Sequence, residues 1–507
     1  MSSQLAVDAP RTTIVALARE RPWPLVVWVV MTGWSAVLFT LVRSHYVEFR
    51  LQRFDLGNMI QAVWSTANGR PLETTDASGE QIVRLGNHVD PILALLAPLW
   101  MLAPSPLTLA AVQIGACALG ALPVFWLGRR HLGSERSAGL LALIYLAYPW
   151  LAWTALDAIH PLTLAIPLFL YAIWFLDSDR IGAFAVCALL ILGTGELMGL
   201  PVAALGLWYW LSHGRRCAGI VIACSGVAWS VVCIKLVIPY FWGTESQFYA
   251  YYGSVGGSPE GVVQTAISDP ARIVAALATP RDLLYVLALA VPLGCMFVFA
   301  PSVALAAIPH VAANGLTSVH GPIDPRGHHV AGVIPFLVAA SVFGLARIPV
   351  ERRSRALATM LTLSVVVSLA FGPWPGLPGR HFPAPDRWES WKPTAAHRAA
   401  LRAAIDLVPE GAPVAATNKV GSHLSARRYF FSVPQVGQAR WVILDMSDPW
   451  VPLPPKTRVR TTWGRNDPVL LKALRTRLEK SPRWEKLFDR SGVSVFRRAP
   501  HEHLDVA

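Results

Sequence analysis

The chain has 507 residues, 54% of them hydrophobic and only 15% charged, with a mean hydropathy of +0.44 and a net charge of +13. A composition this apolar and this thinly charged excludes a soluble domain of ordinary make-up. The six cysteines, Cys117, Cys187, Cys217, Cys224, Cys233 and Cys295, all fall in apolar stretches, so the polar regions hold no pair for a disulfide and metal–thiolate chemistry is disfavoured.

In chain order, residues 1–24 carry Arg11, Arg19 and Arg21 and read as a cytoplasmic segment. The apolar run 25–42 follows with no small-residue cleavage pattern and is expected to be a retained span, not a signal peptide. Further spans are expected at 106–127, 138–153, 161–176, 181–191, 198–211, 218–238, 283–300, 303–316, 330–345 and 357–371. The fold class is therefore a membrane all-α bundle of about eleven transmembrane helices, several of them short, filling residues 25–372. Arg129, Arg130 and Arg136, then Arg215 and Arg216, then Arg347, Arg352, Arg353 and Arg355 lie in short connections. The positive-inside rule makes these cytoplasmic and puts the first long loop, 43–105, and the C-terminal region outside. Segment 89–104 is apolar enough to mimic a span, but at about 15 residues bounded by prolines it is expected to lie in the outer interface.

A Pro/Gly-rich linker at 373–390 leads into residues 391–507, which have the texture of a small extracytoplasmic α/β domain. Helices are expected at 395–408 and 469–479, with strands at "APVAAT", "RWVILD" and "SGVSVFRR". From residue 373 onward 22 Lys and Arg face 12 Asp and Glu, so this region holds +10 of the +13 net charge. Such a surface suits anionic lipid headgroups or envelope polyanions, and equally it keeps the region soluble. No aromatic–basic motif is present and nucleic acid is not an expected partner.

Four stretches carry polar groups that could do chemistry. In "RFDLGNMIQAVW", Leu56, Met59, Ile60, Val63 and Trp64 fall at i, i+3, i+4, i+7 and i+8, which predicts an amphipathic helix with its apolar face on the membrane. Asp55 stands at its N-terminal end, where capping is the plain role and chemistry the sharper one. In "GNHVDPILALLAPLW", Pro91 takes a first-turn position and makes Asp90 an expected cap, leaving His88 unexplained. Glu196, in "GTGELMGLP", lies between apolar runs, where a carboxylate is costly without a cavity or partner.

The fourth stretch, "HGPIDPRGHHVAGVIPF", sets Arg326, His328 and His329 before a span, a set that can seat a phosphate; an ordinary interfacial loop is the alternative. A metal there is a weaker reading, since adjacent histidines seldom face one ion. Lys235 precedes "PYFW", where snorkelling explains it without function, although it could also reach a phosphate. In "GSHLSARRYF", His423, Arg427 and Arg428 could meet an acceptor or headgroup, while a helix-to-strand connection with solvated arginines is simpler. On the topology above, Asp55, His88, Glu196 and the His328–His329 pair share the outer face. A transporter would gather ionisable groups near the midplane within repeated halves, and no internal repeat is evident.

The stretches "RFDLGNMIQAVW", "GNHVDPILALLAPLW", "HHVAGVIPF" and "VPEGAPVAATNKVGSHLSARR" resemble a bacterial family of polytopic membrane proteins known only as a domain of unknown function. The outer-loop acid on an amphipathic helix, followed by a second interfacial helix, also resembles the glycosyltransferase-C superfamily. That resemblance implies inverting transfer of sugar from a polyprenyl-phosphate donor to an envelope glycan, lipid or protein at the outer leaflet. It casts Asp55 as general base, with Arg326, His328, His329 and Lys235 as candidates for the leaving phosphate. His88, Asp90 and Glu196 are supporting candidates, and His423, Arg427 and Arg428 face the acceptor. Better-known members often have two neighbouring acids in this loop, whereas Asp55 is followed by Leu56, which leaves a divalent metal undecided and no other cofactor called for. A transporter or flippase of lipid-linked saccharide, or a non-catalytic envelope scaffold, are the competing readings.

Overall fold

The computed structural model describes residues 22–157, 159–319, 321–374, 393–453 and 464–499. The basic residues Arg11, Arg19 and Arg21 and nearly all of the 373–390 linker lie outside the described residues. Among the described residues, four helices are long and apolar enough to cross a membrane: Pro22–Val47, Pro106–Leu132, Arg216–Trp242 and Val350–Phe371. Two bent pairs, Glu135–Ala147 with Pro149–Leu156 and Pro270–Leu277 with Pro280–Leu293, raise the number to six if each is one span. Shorter apolar helices fill Pro91–Leu102, Pro161–Asp177, Ile181–Leu192 and Ile334–Arg347. Proline recurs at the first turns of these helices, where its missing N–H has no intrahelical partner to lose.

Residues 91–102 form a 3-10 turn followed by a six-residue helix. At rises of 2.0 and 1.5 Å per residue this element is roughly 21 Å long, too short for a hydrocarbon core of about 30 Å. It packs on the helix Asn58–Ala67, whose Met59, Ile60 and Val63 are buried in the bundle core together with Leu56. The apolar face of that amphipathic helix therefore meets protein, not lipid as its periodicity alone suggests. Segment 283–300 is also less regular than expected, with 3-10 turns at Val291–Leu293 and Met296–Phe299. The helices Gly199–His213 and Arg216–Val232 pack unusually closely. A Cβ on Gly206 would lie 2.6 Å from the Gly219 carbonyl oxygen, so this crossing needs glycine on both sides.

The C-terminal part is built on a five-stranded sheet ordered β4-β3-β5-β9-β8, where β3 is Val414–Ala416, β4 Phe430–Ser432, β5 Trp441–Asp445, β8 Trp484–Arg490 and β9 Val493–Arg498. Strands β4, β3 and β5 run parallel, and β9 and β8 extend the sheet antiparallel. Side chains alternate between two cores. Val414, Ala416, Ile443, Val493 and Val495 pack with the helix Ala395–Asp406, while Ala415, Val442, Leu444 and Phe496 pack with the helix Pro468–Lys480. A small hairpin pairs β1 (Glu73–Thr75) with β2 (Gln81–Val83) in the first loop, and β6 (Trp450–Pro452) pairs antiparallel with β7 (Gly464–Asn466) in the C-terminal part.

Candidate functional site

Asp55 lies in a π-helical turn, Arg53–Gly57, that runs directly into the helix Asn58–Ala67. Single π turns inside helices are frequent at functional sites. Asp55 is half-buried in the first turn of this element, where a carboxylate suits the dipole, while neither cap residue, Gln52 or Gly57, makes a side-chain cap bond. The turn is held by Arg53, 1% exposed. Its guanidinium donates to Gln61 Oε1 and Thr75 O, both at 2.9 Å, and to Asn58 Oδ1, and lies over the Phe430 ring at 4.9 Å. Burial, reinforced by the nearby charge of Arg84, draws the Arg53 guanidinium down to about 9.

The C-terminal part closes over this turn. Arg53 N donates to Asn418 Oδ1 and Asn418 Nδ2 to Gln52 Oε1, both at 3.1 Å, and Phe54 meets Trp450 edge-on at 5.2 Å. Gln61 Nε2 donates to the carbonyl oxygens of Arg427 and Arg428 at 3.1 and 2.9 Å. Close approach rests on two glycines: a Cβ on Gly57 would stand 2.5 Å from Ser425 Oγ, and one on Gly421 would stand 2.8 Å from Arg53 Cβ.

His88 Nδ1 lies 3.3 Å from Glu196 Oε1, and Val89 N donates to Glu196 Oε2 at 3.1 Å. Burial pushes the Glu196 carboxyl up, but His88 and the N–H groups facing it outweigh this and hold it below its ordinary value. Phe248 stacks on the His88 ring at 4.5 Å. Asp90 does not cap with its side chain; the carboxylate instead takes a fork from Arg84, with Nη2 2.7 Å from Oδ2. A buried guanidinium competes better for that carboxylate than a backbone N–H does. Leu162 packs against Gly195, so the Glu196 turn adjoins the loop that carries His160.

His328 lies in that loop's company. Its Nδ1 is 3.1 Å from Asp157 Oδ2, and its ring stacks on His160 at 3.7 Å and on His329 at 4.2 Å. Gln113 braces the loop by accepting from His160 N at 2.8 Å and donating to Ala155 O at 3.1 Å. Thr154 Oγ1 donates to Gly327 O at 3.3 Å, tying both loops together. Arg326 is buried and forks onto Asp324 at 2.9 and 3.0 Å, so much of its charge is already answered. Lys235 sits in a second π turn, Cys233–Val237, with Nζ 2.6 Å from Glu260 and 5.7 Å from the Tyr249 ring; its described contacts do not include the 326–329 loop.

Of the acceptor candidates, Arg427 is buried, His423 half-buried and Arg428 exposed. His423 is sandwiched between Tyr46 and Phe49 at 4.2 Å each, and burial drives its imidazole down to about 3. Arg427 is buried and donates to Leu424 O and Ala412 O at 2.5 and 2.6 Å. Arg428 stands at the surface and pairs with Glu73 at 3.2 Å. Reading the sequence alone passed over Arg53, Arg84, Asp157 and His160. "LDAIHP" did hold a signal, an Asp and a His three residues apart between two apolar runs.

The helices define a multi-pass membrane protein. The family model described as "Predicted membrane protein (DUF2079)" matches residues 45–485, and the chain belongs to that family. No curated protein matches it. Among solved structures, ArnT from Cupriavidus metallidurans, bound to undecaprenyl phosphate, is similar at 12% identity with a TM-score of 0.47, covering 94% of this chain and 99% of its own.

Proposed function

We propose that this protein is a membrane glycosyltransferase that moves a sugar from a polyprenyl-phosphate donor to an envelope acceptor at the outer face. What supports the reading is the position of Asp55, a half-buried carboxylate in a π turn whose backbone the buried Arg53 ties to Gln61, Thr75 and the C-terminal part. In this reading residues 25–372 cross the membrane about eleven times, with short helices serving as crossings. The N-terminus is cytoplasmic and residues 391–507 lie outside, facing the acceptor.

Asp55 accepts the proton of an acceptor hydroxyl as that oxygen attacks the anomeric carbon. The bond from that carbon to the phosphate oxygen breaks with inversion, and the polyprenyl phosphate leaves. Arg326, His328 and His329 are the partners proposed for the leaving phosphate; Asp324 engages Arg326, and Asp157 lies 3.1 Å from His328 Nδ1. His88 and Glu196 support the same face as an oriented pair.

Replacing Asp55→Asn keeps the size of the side chain and removes its basicity. Purified variant, assayed with radiolabelled polyprenyl-phosphate sugars, is expected to lose roughly 10²–10⁴-fold in transfer while remaining monodisperse. Turnover equal to the parent protein excludes Asp55 as base, and movement of labelled lipid across liposomes without a new glycosidic product favours a flippase.

A further inference from the structure

We propose that Asp157, His160 and His328 form a binding site for a divalent transition cation of the zinc class. Each offers one donor atom, and the three donors lie within 4.8 Å of one another. Asp157 Oδ2 is 3.1 Å from His328 Nδ1 and 3.9 Å from His160 Nε2. In a tetrahedral site with bonds of about 2.0–2.1 Å, neighbouring donor atoms stand roughly 3.3 Å apart, so the two separations bracket what the ion requires. The side chains are 8, 9 and 18% exposed for Asp157, His160 and His328, which keeps competing water away without sealing the site.

The donor set selects the metal. Two imidazole nitrogens and one carboxylate suit zinc and its first-row neighbours, whereas magnesium and calcium prefer all-oxygen shells. Three protein ligands also leave a fourth position for a water or a ligand oxygen. The loops are braced before any ion arrives: Gln113 fixes the backbone at His160, and Thr154 fixes Gly327, the residue before His328. One local adjustment is needed. The His160 and His328 rings are parallel within 16°, and both lone pairs meet at one point only when the rings splay, so the stack opens on binding. Protons compete with the cation for the same nitrogens, so affinity falls as pH falls. None of this depends on sugar transfer.

The test uses the full-length protein in detergent, stripped by chelator and titrated with Zn²⁺ against a chromophoric indicator, with Co²⁺ as a spectroscopic probe. One equivalent is expected, undisplaced by excess Mg²⁺. His160→Ala and His328→Ala should each weaken binding by more than the roughly 10–100-fold that loss of an outer-sphere partner costs. His328→Cys keeps a ligand and should give a thiolate-to-cobalt charge-transfer band absent from the parent protein, a readout that survives if an alanine variant fails to fold. His88→Ala should keep the full equivalent. Absence of a stoichiometric site, unchanged titrations in folded alanine variants, a cobalt-loaded His328→Cys without the band, or loss of the metal in His88→Ala would each overturn the proposal.

Discussion

Arg53 offers a test of the joint between the first loop and the C-terminal part, because two substitutions should fall in the reverse of their chemical similarity. The guanidinium is buried with no carboxylate in direct contact among its described partners, which are two side-chain oxygens, one carbonyl and two aromatic rings, Phe430 and Phe54. Arg53→Met removes those bonds but also removes a charge that burial already disfavours, since the group is held down at about 9. Bonds from a charged donor contribute about 1.5–3 kcal/mol each, and the relief of desolvation offsets most of them, leaving a net loss of roughly 1–3 kcal/mol. Arg53→Lys keeps the charge but presents a point donor on a flexible stem, so it cannot satisfy three acceptors and stack on Phe430 together. Its loss should be larger, on the order of 3–5 kcal/mol, the usual result of leaving a buried charge without its partners. Trypsin digestion of detergent-purified protein reads the undocked population, which rises about tenfold for each 1.4 kcal/mol when reclosing outpaces cleavage. Digestion of Arg53→Lys at or below the rate of Arg53→Met would refute the account of how this turn is held.

Gly57→Ala attacks the same joint from the other side. Its Cβ would meet Ser425 Oγ at 2.5 Å, so about 1–3 kcal/mol of overpacking is expected, with faster digestion partly reversed by Ser425→Gly. Asp448 predicts a pH effect on the stability of the C-terminal part. Burial raises its carboxyl from 3.8 to about 6, so between those values the folded chain holds a proton that the unfolded chain has released, and stability falls as pH rises through that window. At neutral pH the cost is complete, on the order of 3 kcal/mol from the size of the shift. Asp448→Asn, whose amide oxygen can still accept from Lys419 N, should flatten the denaturation profile between pH 4 and 6; an unchanged slope would show that Asp448 is not its source.

Much of the C-terminal fold was legible because a short strand buried on both faces needs an unbroken apolar run. "APVAAT" and "RWVILD" became β3 and β5, and the stripe of Leu471, Leu474 and Leu478 marked the helix Pro468–Lys480. Strand β8 was hidden, since "WEKLFDR" is an edge strand with mostly exposed side chains and no apolar run. What covers the apolar face of the helix Asn58–Ala67 is hidden in the sequence for a related reason. Periodicity identifies an apolar face but not whether lipid or protein covers it. The site was legible only where one residue stood out against its surroundings, as Asp55, Glu196 and the His328–His329 pair do. Asp157 and His160 become notable only when His328, far along the chain, is folded back onto them, and Asp90 looked like a cap because its partner Arg84 stands in a turn with no pattern of its own.

A single helix links the two polar ends of the bundle and makes the topology testable. Pro161–Leu164 and Ala165–Asp177 run from His160 to Asp177, a 3-10 turn of four residues followed by thirteen α-helical ones. By their rises this element is about 28 Å long, close to the hydrocarbon thickness of about 30 Å, so a helix short by residue count has the length for the crossing proposed above. At its first end stands the Asp157, His160 and His328 cluster. At its other end Asp177 receives Arg130 at 3.1 Å and His131 at 2.9 Å, while Arg215 pairs with Asp179 at 2.7 Å beside it. Two of the three arginine-rich connections, those of Arg129–Arg136 and Arg215–Arg216, therefore gather at the end away from the candidate site, which is the arrangement the positive-inside rule requires if that site faces outward. In a cysteine-free background, Arg428→Cys should react with a membrane-impermeant maleimide in intact cells, and Arg129→Cys only after permeabilisation. Labelling of both from the same side would invert or break the proposed topology, and with it the supply of an outer-leaflet lipid donor to Asp55.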